Sequence, residues 1–294
     1  MEGVALRSSK GVVAYLVLTF GISWALWEAA FRLGLGPESP FFQLAILPGA
    51  FAPAVAALIM RAWVTGEGFG DAGWRPNLRR AWGYYLLAWI YPLAAVVIIS
   101  ALAAGLGVAQ PDLTLGRASD AWLGEAAKPA APYLLWLLPP QLLLSALLAT
   151  PILWGEEFGW RGYLQLRLYP GRPLLAALAT GVIWGLWHLP VNLRGYNFPG
   201  QPVLGMLVFT VSTILLSIFF GWLRQRTGSI WAPSLAHAAT NAVGGSLMLL
   251  LFLGGGKPLY VAYLGILGWV PLGALAVWIA WRGYPKGSEQ SLAG

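Results

Sequence analysis

The chain of 294 residues is 58% hydrophobic and 10% charged, with no cysteine and a formal net charge of +7. Soluble domains carry about 25% charged residues, so this composition excludes a soluble globular protein and predicts an all-α, polytopic membrane bundle. The lack of cysteine excludes disulfides, a thiolate nucleophile and thiolate-bound metal. No Lys/Arg cluster is interleaved with exposed aromatics, so the positive balance reads as the loop bias of a membrane protein and not as nucleic-acid binding.

Residues 1–10 are weakly basic and lead into an apolar run from Gly11. No small-x-small cleavage site follows it, so the first helix is expected to stay as an anchor. At about 20 residues per crossing, eight spans are expected, at roughly 11–32, 42–63, 82–106, 140–168, 173–191, 203–223, 230–253 and 259–281. The turn signals Gly66-Glu67-Gly68, Tyr169-Pro170-Gly171, Gly200-Gln201-Pro202, Thr227-Gly228 and Gly254-Gly255-Gly256 separate several of them. Pro139-Pro140 is expected to break the helix there, leaving a short helix before the pair and the main span after it. No repeat or low-complexity tail interrupts the chain, which reads as one domain over 1–294 with its chemical core at about 130–245. No Gly-x-x-x-Gly face stands out above the general glycine content, so oligomeric state is not read.

Orientation follows from Lys and Arg. With the N-terminus in the cytoplasm, the inner segments hold Arg7, Lys10, Arg61, Arg75, Arg79, Arg80, Arg167, Arg172, Arg224, Arg226, Arg282 and Lys286. The outer segments hold Arg32, Arg117, Lys128, Arg194 and Lys257. Twelve against five predicts both termini inside. Among the acidic groups, Glu28 lies near a helix end, where its side chain is expected to reach the interface.

Within this apolar background sit Glu156-Glu157-x-x-x-Arg161, then His188, then His237-x-x-x-Asn241, and the two histidines are the only ones in the chain. Ionisable groups at bilayer depth are costly and mark a functional site. Glu156 precedes the Pro170 turn and His188 follows it by a comparable length of helix, and His237 lies shortly after Gly228 on a helix that starts from the same side. At about 1.5 Å per residue, all three can reach one cavity. Adjacent residues on a helix point about 100° apart, so Glu156 and Glu157 face different neighbours. Glu157 and Arg161, at i and i+4, can pair, which leaves Glu156 without a local cation and suited to act as a general base. Trp184 and His188 share the same spacing, so the indole can pack beside the imidazole, and His237 with Asn241 puts two donors on one face.

Three segments carry a resemblance. They are Gly155-Glu-Glu-Phe-Gly-Trp-Arg161, Gly181-Val-Ile-Trp184-Gly-Leu-Trp-His188 and the stretch from Gly228 to His237-Ala-Ala-Thr-Asn241. Together they resemble the CAAX prenyl endopeptidase and bacteriocin-processing family of intramembrane glutamate proteases, with Trp184 where the family's Phe-x-x-x-His pattern has phenylalanine. The resemblance covers about residues 130–245, and the first 130 residues match only as generic membrane helices. It implies that Glu156 and His188 hold and activate a water, that His237 and Asn241 donate to the developing oxyanion, and that Glu157 and Arg161 brace the site. The residues by themselves assign the same roles but do not separate a protease from a proton-coupled transporter.

Two histidines and a glutamate also form a ligand set used by catalytic zinc sites. His-Glu-x-x-His spacing is absent, so no cofactor is expected and zinc is the alternative. A non-catalytic peptide-binding or immunity scaffold is a second alternative. The expected partners are membrane lipid and a hydrophobic or lipid-modified peptide, and the expected location is a membrane crossed several times, the cell membrane if the source is prokaryotic. Glu156, His188, His237 and Asn241 are expected to line one water-accessible pocket that opens toward the cytoplasm.

Overall fold

The computed structural model describes residues 2–122, 131–282 and 284; Lys128 and Lys286, used above for charge bias, lie outside them. The described residues are helical and contain no strand. In chain order the helices are α1 (Glu2–Arg32), α2 (Phe42–Ala50), α3 (Ala52–Ile59), α4 (Leu78–Gly105), α5 (Gly116–Trp122), α6 (Ala131–Gly159), α7 (Gln165–Arg167), α8 (Pro173–Trp187), α9 (Leu189–Asn192), α10 (Pro202–Thr227), α11 (Trp231–Ala239), α12 (Ser246–Phe252), α13 (Pro258–Val261) and α14 (Trp269–Arg282). Wider π-helical turns continue three of them, at Met60–Val64, Trp160–Leu164 and Thr240–Gly245. One cluster of buried apolar side chains runs from Tyr15 to Ile279.

Seven helical stretches are long and apolar enough to cross a membrane: Lys10–Arg32, Phe42–Val64, Leu78–Gly105, Trp136–Arg167, Pro202–Thr227, Trp231–Phe252 and Pro258–Trp281. The expected fifth span is shorter than foreseen, because α8 stops at Trp187 after 15 residues, a rise of about 22 Å. Pro190 has no N–H to continue the ladder, and the helix tightens at His188, whose N–H bonds Gly185 O at 3.1 Å. The chain restarts as α9, with His188 between the two helices at φ −77° and ψ 2°, the sparsely populated bridge region.

The expected break at Pro139-Pro140 does not occur, and α6 runs through both prolines and through Pro151. Proline's fixed φ is itself helical. In an apolar surrounding, opening the backbone would expose more unpaired groups than the two N–H groups already missing.

Glycines set the closest helix contacts. A Cβ on Gly181 would lie 2.5 Å from Ile214 Cα, and one on Gly185 2.7 Å from Thr213 Oγ1, so α8 lies directly on α10. Gly155 and Gly159 bring α6 equally close to Phe51 and Pro53. Both pairs are Gly-x-x-x-Gly spacings that packing within the chain consumes.

Residues 65–77 fold over the end of α6. Phe69 stacks on Phe158 at 6.4 Å and Trp74 meets it edge-on at 5.5 Å. The fully buried Arg61 binds Asp71 at 2.6 Å and the carbonyls of Gly68 and Gly162. Partial burial works to raise the Asp71 carboxyl, but the hydrogen bond and charge of Arg61, with Arg167 adding, bring it below its ordinary value.

Candidate active site

The site assembles around Trp184, near the end of α8. Its indole Nε1–H donates to Oε2 of Glu156 at 3.0 Å. Its carbonyl, released when the His188 N–H turned to Gly185, accepts instead from the His188 imidazole, Nδ1 to O 2.9 Å. A carbonyl only accepts, so the proton on this imidazole sits on Nδ1 and the neutral ring presents Nε2 as a lone pair. The His188 ring is packed by Trp187 at 4.7 Å, Phe209 at 4.8 Å and Trp184 at 5.9 Å. The end of α8 is itself held by α1, where Trp24 donates to Trp187 O and the Trp187 indole donates to Ser23.

Glu157, fully buried, uses one oxygen for two partners. Its Oε1 accepts from Arg161 Nη1 at 2.9 Å and lies 2.9 Å from Nδ1 of His237. The expected local pair is therefore one side of a three-residue bridge that ties α6 to α11. Sequence spacing could not have revealed the histidine half, which is 80 residues away. Arg161 is the second residue of the Trp160–Leu164 π-turn, and its guanidinium lies 4.8 Å from the Trp184 ring and 5.1 Å from Phe220. The His237 ring is 5.1 Å from Trp184, edge to face, and 5.7 Å from Phe220.

Glu156, His188 and His237 thus converge on one indole. Asn241 stands one turn beyond His237, inside the Thr240–Gly245 π-turn, exposed and with no hydrogen-bond partner among the described residues. Glu28 is outside the site, pairing with Arg194 at 2.7 Å.

Burial is complete toward the end of α6, where Phe158, Trp160, Arg161 and Tyr163 are inaccessible, and it falls away in the opposite direction at Ile152 and Asn241. Among the described residues no group of three or more His, Asp and Glu side chains is placed to hold a metal ion.

Seven long apolar helices define an integral, multi-pass membrane protein. Residues 134–243, which hold every site residue named above, match the family model of Rce1-like type II CAAX prenyl endopeptidases. This central segment is similar to the CAAX protease family over those residues. No curated protein matches the chain.

Proposed function

We propose that the chain is an intramembrane endopeptidase that hydrolyses a peptide bond of a membrane-associated substrate, with Glu156 as general base. The observation that carries this reading is the pair of acceptors on either side of Trp184. Glu156 keeps Oε1 beside an Oε2 engaged by the indole, and His188 is held in the tautomer that leaves Nε2 open. A nucleophilic water needs two acceptors for its two hydrogens. As its oxygen bonds to the scissile carbonyl carbon, one proton passes to Glu156, which then returns it to the departing amine nitrogen.

The oxyanion formed in that step is assigned to His237 and Asn241, each donor contributing about 10²–10³ in rate. With its Nδ1–H given to Glu157, His237 donates to an oxyanion through Nε2–H, that is, as the imidazolium. Two carboxylates, Arg161 and that imidazolium sum to zero charge, which suits a site removed from water. The family points to a prenylated C-terminal Cys-aliphatic-aliphatic-X peptide as the substrate class, and the reaction as drawn uses no metal.

The test is hydrolysis of a farnesylated fluorogenic CAAX-type peptide, and of the same peptide without the lipid, by purified protein in liposomes. Glu156→Gln should lower kcat by about 10²–10⁴ with no change in melting temperature. A variant that cleaves like the wild type would eliminate Glu156 as the base.

A further inference from the structure

Trp184 touches four ionisable groups of the site. Its N–H is on Glu156 at 3.0 Å, its carbonyl on His188 at 2.9 Å, its ring edge-on to His237 at 5.1 Å and beneath the Arg161 guanidinium at 4.8 Å. It is 2% exposed. Only the first of these contacts depends on the side chain being tryptophan. A phenylalanine, which the Phe-x-x-x-His pattern has here, would keep the backbone carbonyl and a ring for both the imidazole and the guanidinium. It would have no donor for the carboxylate, because the indole N–H is the donor that benzyl lacks.

A carboxylate on a two-carbon stem has nearly free rotation about its last bond. Of the described hydrogen bonds, the one from Trp184 is the one that fixes Glu156. Fixing Oε2 also fixes Oε1, so the indole decides where the basic oxygen points relative to His188 Nε2. The same residue's carbonyl sets the tautomer of that histidine. Side chain and backbone of a single position therefore align both acceptors of the water.

Resting on Glu156 as the base, we propose that Trp184 is a positioning residue for the hydrolysis, acting through its indole N–H on the Glu156 carboxylate. Trp184 is buried and bonds both acceptors, so the effect is expected on kcat and not on KM.

The experiment replaces Trp184 with phenylalanine and, separately, with benzothienylalanine, whose sulfur takes the place of the N–H in a bicyclic ring of the same shape. Both proteins are assayed on the farnesylated peptide beside wild type and Glu156→Ala. A hydrogen bond to a charged group is worth about tenfold or more in a rate that depends on it. Both replacements should lower kcat by about tenfold, with KM and melting temperature held. In parallel, the indole ¹⁵N–¹H resonance of Trp184, identified by its absence in Trp184→Phe, should move on Glu156→Ala. Benzothienylalanine protein with wild-type kcat, or a loss confined to KM or to melting temperature, would overturn the positioning role while leaving Glu156 as base. An indole resonance unmoved by Glu156→Ala would overturn the bond itself. Cleavage that survives Glu156→Ala removes the base, and the positioning role falls with it.

Discussion

Oε1 of Glu157 lies 2.9 Å from Nδ1 of His237, and the same oxygen takes the Arg161 Nη1 donor at 2.9 Å. A single carboxylate oxygen thus holds a histidine from α11 against an arginine one turn along its own helix. All three residues are buried, Glu157 and Arg161 completely. Removing one partner of a buried charge pair leaves the other uncompensated, at about 3–5 kcal/mol.

Glu157→Ala is therefore expected to fail on two counts. Arg161 loses its counter-charge, so thermal unfolding in detergent should show a large loss of stability, on the order of 3–5 kcal/mol. His237 loses the acceptor for Nδ1–H and its ring orientation, so residual activity on the farnesylated peptide should fall by about 10²-fold. Glu157→Gln keeps an acceptor oxygen for both partners and should melt nearer to wild type than the alanine variant does. Equal melting of all three proteins would show that the bridge carries no stability.

Metal dependence separates the two hydrolase readings. The described residues offer no cluster of three metal-binding side chains, and Glu157 already occupies Nδ1 of His237. Cleavage should persist at its full rate after dialysis against EDTA or 1,10-phenanthroline. Loss of activity that returns with added zinc would favour the metal-dependent mechanism over the glutamate base.

Helix contact predicts a further result. A methyl on Gly181 would stand 2.5 Å from Ile214 Cα, a backbone atom that no rotamer change can move away. Gly181→Ala must push α8 from α10, at about 1–3 kcal/mol for such overpacking. Because α8 carries Trp184 and His188 directly follows it, the same shift should lower kcat. Gly171→Ala, in a turn with open space around it but a φ of +75°, strains only the local backbone and should lower stability with little change in kcat.

The residues proposed for the site are conspicuous in the sequence because of their cost at bilayer depth. Glu156, Glu157, Arg161, His188, His237 and Asn241 stand out against any apolar run, and i, i+4 spacing predicts that Glu157 and Arg161 can meet. What spacing cannot carry is a partner on another helix, which is why the Glu157–His237 bond and the Trp184–Glu156 bond appear only in the fold. The spans were legible to the same degree. Apolar composition continues past Trp187, so it extends the fifth span over a stretch where Pro190 stops the helix. At Pro139-Pro140 the opposite error arises, since a rule learned in water overrates a break that an apolar surrounding disfavours.

The loop between α4 and α5 carries a pH-dependent contribution that lies well away from the site. Asp112 N–H bonds Leu251 O at 2.7 Å, tying the loop to α12. Its carboxylate accepts from Thr114 Oγ1 at 2.6 Å, from the Arg117 backbone N–H at 2.9 Å and from the Arg117 side chain at 3.4 Å. Burial works to raise this carboxyl, but the hydrogen bonds from Thr114 and Arg117 outweigh it and hold the group at about 2, below its usual 3.8. A carboxyl lowered by folding stabilises the folded state above its unfolded value, and that contribution fades as pH falls toward the folded one. Asp112→Asn should therefore melt below wild type at pH 6 with unchanged kcat, and the gap should narrow as pH drops from about 4 toward 2. A gap that stays constant from pH 6 to pH 3 would mean that the ionised carboxylate is not what holds the loop.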